Sequence, residues 1–207
     1  MSTDTALPDE AQLIALGRSS AYACLARGFA WPDVETPAPA SGDTDDKGPL
    51  GRLIHRLCEA GKASGVECLR RSYMRIFDPR RAPHPFEAEH CTEHFRQRTD
   101  LLADLMGFYQ AFAVCPDHER PDHIACELEF VHLLSLKEAR ALRRGRGEQA
   151  AICASARETF LAEHLLRWYE PVVEMIRQRA TEPEDRFYRA LADLLEALMA
   201  QEKEAQP

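Results

Sequence analysis

The sequence predicts an all-α fold, a single-domain helical bundle over residues 1–207, and three observations carry that expectation. Apolar side chains recur at helical spacing, as in Leu101, Leu105, Phe108 and Phe112. No stretch alternates with period two for long enough to propose a strand, and no repeat recurs at a fixed period. A chain of 207 residues suits one domain with a sizeable buried core.

Taken in order, Asp9 to Ala30 reads as the first helix, with Leu13, Leu16, Ala23, Leu25 and Phe29 among its apolar positions. Trp31 to Pro49 holds four of the thirteen prolines with Ser, Gly and Asp between them, so a flexible surface loop is expected over about 32–49. Gly51 to Ala60 and Val66 to Phe77 are two shorter helices, separated by a turn at Gly61 to Gly65. A second proline-rich loop, Asp78 to Pro85, ends on Phe86 and also takes in Glu87. A long helix then covers about His94 to Val114. Pro116 and Pro121 donate no backbone hydrogen bond and disfavour helix at the residues before them, so about 115–122 is a loop, read as a hinge.

Asp122 is the expected N-cap of the next helix, which runs to about Arg144 and stops at the Gly145 to Gly147 turn. That helix is apolar round most of its circumference, which predicts a central position. Glu148 to Ala162, a break near His164, and Leu165 to Ala180 continue the pattern, with Pro171 where a helix begins or kinks. Thr181 to Glu184 interrupts again, and Asp185 to about Gln201 closes the chain.

The stretch Glu119 to Leu134, ERPDHIACELEFVHLL, joins the charged loop directly to the central helix. Its Glu119, Arg120, Pro121, Asp122 and His123, followed by Glu127, Leu128 and Phe130, resemble the signature of the TorD/DmsD/NarJ family of molybdoenzyme maturation chaperones. Three further segments agree in order and spacing: AYACLARGF from Ala21, YMRIF from Tyr73, and FLAEHLLRW from Phe160 followed by Phe187 and Tyr188. The resemblance covers most of the chain and implies a TorD-like bundle that is not an enzyme. It implies a cytoplasmic chaperone that holds the apo form of a molybdopterin-dependent oxidoreductase of the dimethyl sulfoxide reductase class. Such a chaperone binds the client's N-terminal, often twin-arginine, signal or leader peptide, assists cofactor insertion and delays export. Tyr73, Phe77, Pro85 and Phe86 resemble positions that line the family's peptide groove, beside Asp122 and His123; Glu119 and Glu127 complete the expected client-binding set. Where the family has Ser two residues after an aromatic, this chain has Phe86, Glu87 and Ala88.

Composition sets independent bounds. With 34 acidic against 26 basic side chains, the net charge of −8 disfavours nucleic acid and anionic membrane as partners and favours a basic one. The first eight residues hold no basic and apolar signal pattern and no run of 18 apolar residues occurs, so neither secretion nor a membrane span is expected. Seven cysteines, odd in number and without C-x-x-C, argue against a disulfide framework; most are expected as small buried hydrophobes.

No cofactor and no metal is expected, although other chemistries have partial patterns. His123 and Glu127, one turn apart, could pair as acid and base; the plainer reading is that His123 orders the turn. Glu87-x-x-His90 and Glu129-x-x-His132 are two E-x-x-H pairs, the basis of the alternative reading as a metal-dependent helical-bundle enzyme. Glu129 and His132 lie roughly opposite His123 and Glu127 on their helix, so these four cannot serve one site. Cys115, His118, His123 and Cys126 have zinc ligand types. Phosphate-binding glycine loops and a serine nucleophile elbow are absent.

Overall fold

Helix starts and stops follow local chemistry in the computed structural model, which describes residues 9–33, 48–116 and 119–205. Helix α1 (Glu10–Phe29) opens on Asp9, whose carboxylate accepts the Gln12 amide at 2.7 Å. Helix α2 (Pro49–Ser64) places proline in its first turn, where no intrahelical donor is missed. It runs through Gly61 and stops at Gly65, so the turn expected over Gly61 to Gly65 contracts to one residue. Gly65 has φ +69°, a left-handed backbone that suits a residue without Cβ. Helix α3 (Val66–Ile76) follows directly. Helix α4 (Glu87–Cys91) is one short turn where the sequence predicts loop; five residues are too few to display a period.

Helix α5 (Phe95–Ala111) ends earlier than predicted, because Ala113 turns left-handed at φ 57°. Helices α6 (Ile124–Arg143), α7 (Gly147–Glu163), α8 (Leu165–Arg179) and α9 (Arg186–Glu204) complete the set, with a 3₁₀ turn at Pro183–Asp185. Pro171 sits inside α8 on an exposed position, so it neither begins nor ends the helix. Among the described residues there is no strand. Residues 34–47 of the predicted flexible loop lie outside the described residues.

As its all-round apolar character predicts, α6 is central: α1 lies along one side of it and α7 along another. A second layer places α9 between α8 and α2. One core joins the two, filled by Trp168, Tyr22, Tyr109, Tyr188, Phe29, Phe130 and Phe160, all essentially without solvent contact. At Gly28 the Leu191 side chain of α9 packs directly on the α1 backbone, since a Cβ there would lie 2.3 Å from Leu191 Cδ1.

Buried charges tie the helices where apolar packing alone would leave them free to slide. Arg157 of α7 meets Glu202 of α9 at 3.3 Å; Glu202 also accepts the Tyr22 hydroxyl at 3.1 Å. Arg18 of α1 bridges to Glu138 of α6 at 3.3 Å. Arg75 of α3 pairs with the fully buried Asp185. Arg179 holds the proline-rich loop through the carbonyls of Ile76, Arg81 and Ala82 at 2.9, 2.8 and 3.1 Å. None of the seven cysteines is in a disulfide; Cys24, Cys58 and Cys153 are buried, fewer than the sequence led us to expect.

Candidate functional site

Two loops that are distant in sequence meet by pairing their backbones. Pro85 to Glu87 runs antiparallel to Asp122 to Ile124: Glu87 N–H donates to the Asp122 carbonyl at 2.9 Å and Ile124 N–H to the Pro85 carbonyl at 3.0 Å. The Tyr109 hydroxyl, from α5, donates to the Pro121 carbonyl at 2.8 Å and anchors the same loop from the other side.

The expected N-cap is displaced by one residue. His123, not Asp122, caps α6: its Nδ1 accepts the Ala125 amide at 3.2 Å. Burial holds the His123 imidazole below its ordinary range despite the nearby Glu119 and Asp122 charges, so the ring is neutral and Nδ1 is free to accept. Asp122 is then available across the bridge, where its Oδ2 accepts the Ala88 amide in the first turn of α4 at 3.3 Å. Its other partner is Arg120. Nε and one terminal nitrogen of the guanidinium reach the two carboxylate oxygens at 3.0 and 2.6 Å, a two-point fork. The same guanidinium lies over the Phe86 ring, 3.9 Å from its centroid, and Phe86 meets the His123 ring edge-on at 5.2 Å.

Pro85, Phe86, Asp122 and His123 are therefore brought together by one backbone bridge. Tyr73 and Phe77 stand on a separate aromatic ledge. Their rings are 4.8 Å apart; Tyr73 touches Trp31 at 5.3 Å and Phe77 touches Tyr188 at 5.8 Å. Trp31 is 46% exposed, so the ledge has an apolar outer edge. Burial pushes the Tyr73 hydroxyl up to about 12, and the charge of the exposed Glu119 adds to it.

Glu127 lies deeper, with no exposed surface. One of its oxygens accepts the Trp168 indole N–H at 3.1 Å and the other has no hydrogen-bond partner. Burial first, and the neighbouring Glu87 second, raise its pKa well above the carboxylate range, so it is held protonated. Glu87 is also fully buried and is bonded to His164 Nδ1 at 2.9 Å. The extra acid beside Ala88, which stands where the family has serine, thus serves the interior.

The partial metal patterns do not assemble. His90 Nε2 bonds the His84 carbonyl at 3.0 Å and its ring stacks on Trp168, while His132 Nδ1 bonds the Ser19 carbonyl at 2.8 Å and Glu129 is exposed. Of the possible zinc set, His118 lies outside the described residues, and burial pushes the Cys126 thiol up to about 12. Arg120, His164 and Trp168 are not among the residues expected at a site from the sequence, and Glu87 is expected there only as one half of an E-x-x-H pair. The signal for the roles of these four is a partner distant in sequence or a loop geometry.

The family model described as the nitrate reductase delta subunit matches residues 43–174. The perchlorate reductase assembly chaperone protein of Dechloromonas aromatica (strain RCB) is 31% identical over 204 residues, covering 87% of this chain and 86% of that one. The chlorate reductase assembly chaperone protein of Ideonella dechloratans is 31% identical over 159 residues, 72% of each chain. The selenate reductase assembly chaperone protein of Thauera selenatis is 36% identical over 107 residues, 48% of this chain and 52% of that one. By that match and that coverage, the chain belongs to the nitrate reductase delta subunit family, the NarJ and TorD type of molybdoenzyme maturation chaperone.

Proposed function

We propose that this chain is a cytoplasmic assembly chaperone, a single helical binding domain without catalytic activity of its own. Its client is the apo catalytic subunit of a molybdopterin-dependent oxidoreductase of the dimethyl sulfoxide reductase class. It binds that subunit's N-terminal segment, often a twin-arginine signal, assists cofactor insertion and delays export. The observation that carries the reading is the fork of Arg120 on Asp122 above the Phe86 ring: these two side chains accept a guanidinium by charge, by planarity and by its π-face at once. Arg120 occupies the place that a client arginine takes. The loop around 115–122 swings away to admit it, because Asp122 is otherwise without exposed surface. The ledge of Tyr73, Phe77 and Trp31 receives the apolar residues that follow the arginines, and the exposed Glu119 attracts the arginines themselves.

The test uses the N-terminal peptide of whichever reductase subunit copurifies with the tagged chain. Arg120→Gln removes the internal competitor and should tighten binding of that peptide several-fold by calorimetry. Binding that is unchanged or weaker in this variant contradicts the placement of a client arginine on Asp122.

A further inference from the structure

His164 sits at the corner where α7 ends and α8 begins, wedged between the Phe108 and Phe160 rings and 2% exposed. Its Nδ1 faces the buried carboxylate of Glu87 at 2.9 Å, which fixes the proton on that nitrogen and leaves the lone pair on Nε2. Nε2 has no hydrogen-bond partner, although it is buried, and it points at a carboxylate oxygen of Asp104 on α5, 3.4 Å away. With no hydrogen bond formed between them, the buried ring nitrogen and the carboxylate oxygen leave room for a cation to bind both. Glu163, the next residue back along the chain, brings a second carboxylate: one ligand atom each from Asp104, Glu163 and His164 lies within 4.8 Å of the others.

We propose that Asp104, Glu163 and His164 form a binding site for a divalent first-row metal ion of the zinc class, with Glu87 orienting the imidazole from behind. A buried carboxylate hydrogen-bonded to the far nitrogen of a ligating histidine is the arrangement that raises ligand basicity and holds the ring in register. One imidazole and two carboxylates suit a borderline cation, and three protein ligands leave a coordination position open to water or to a client side chain. Tetrahedral bonds of about 2.1 Å need ligand atoms roughly 3.4 Å apart. His164 and Asp104 already stand at that spacing, and the remainder closes by rotation of exposed side chains, since the Asp104 side chain is 59% exposed and Glu163 is exposed too. The bound ion would cross-link α5 to the α7–α8 corner, which α5 otherwise meets through aromatic side chains such as Phe108.

Chain stripped of metal with a chelator and kept reduced is titrated with Co²⁺, which reports its ligands by absorption. The site predicts one equivalent of cobalt with ligand-field bands and no thiolate-to-cobalt charge transfer. The double variant Asp104→Asn, Glu163→Gln should lose at least tenfold in affinity while its metal-free melting temperature stays unchanged, and Glu87→Gln should weaken binding about 10- to 100-fold. Because Glu87 is buried and its variant is at risk of misfolding, the exposed double variant decides. Absence of saturable binding, a thiolate charge-transfer band, or equal affinity in the double variant would overturn the site.

Discussion

A buried carboxyl with one unbonded oxygen, such as Glu127, is stable only if it keeps its proton. Unfolded, the group titrates near about 4.3; folded, burial and the adjacent Glu87 hold it well above that. Between those two pKa values unfolding releases a proton, so stability falls as pH rises, by at most about 1.4 kcal/mol per pH unit. Glu127→Gln removes this dependence while keeping an acceptor for the Trp168 indole. Urea midpoints of the two proteins should therefore diverge in the variant's favour from about pH 5 upward, and parallel pH profiles would show that Glu127 is ionised in the fold. In the proposed client site, this burial would put Glu127 out of a peptide's reach unless the loop before α6 opens.

The loop just before α6 and the turn of α4 are joined by backbone hydrogen bonds. The amides of Glu87 and Ile124 close the bridge between them, and that of Ala88 reaches the Asp122 carboxylate, so the loops should open and close together. Hydrogen exchange should show amides from His123 to Ile124, together with Glu87 and Ala88, exchanging faster than the interior of α6 in the free chain and slowing several-fold when the client peptide binds. Equal exchange with and without peptide would rule out a hinge here. The long helices were legible in the sequence because each presents a 3.6-residue apolar period to the core, and α6 was legible as central because nearly all of its faces are apolar. The displacement of the cap from Asp122 to His123 was not, since Asp122 spends its carboxylate on a different helix and on Arg120, partners that only the folded backbone brings near. Glu127, predicted from its one-turn spacing to His123, shares that side of α6, but the side faces Trp168 instead of solvent. Glu87 read as a loop acid for a related reason: its partner His164 is 77 residues away.

At the scale of the whole molecule, a chain with net charge −8 should draw a basic peptide by long-range attraction and hold it by shorter-range contacts. Raising salt should slow association and weaken binding only in part. At about 1 M the Debye length is roughly 3 Å, so exposed charge pairs contribute little and the remaining affinity reports the aromatic ledge. A Leu→Ser change in the peptide's apolar run should lower that remainder; if it binds like the parent while moderate salt abolishes binding, Tyr73 and Phe77 serve only the core. Whether Asp122 reads a client arginine is decided by a double-mutant cycle in calorimetry. The client's N-terminal peptide and its twin-lysine form are each titrated into the parent chain and into Asp122→Asn. Lysine should cost the peptide at least tenfold in affinity against the parent chain, because an ammonium cannot make the fork, and this penalty should shrink to near unity in Asp122→Asn. An equal penalty against both proteins would mean that the arginine is read elsewhere.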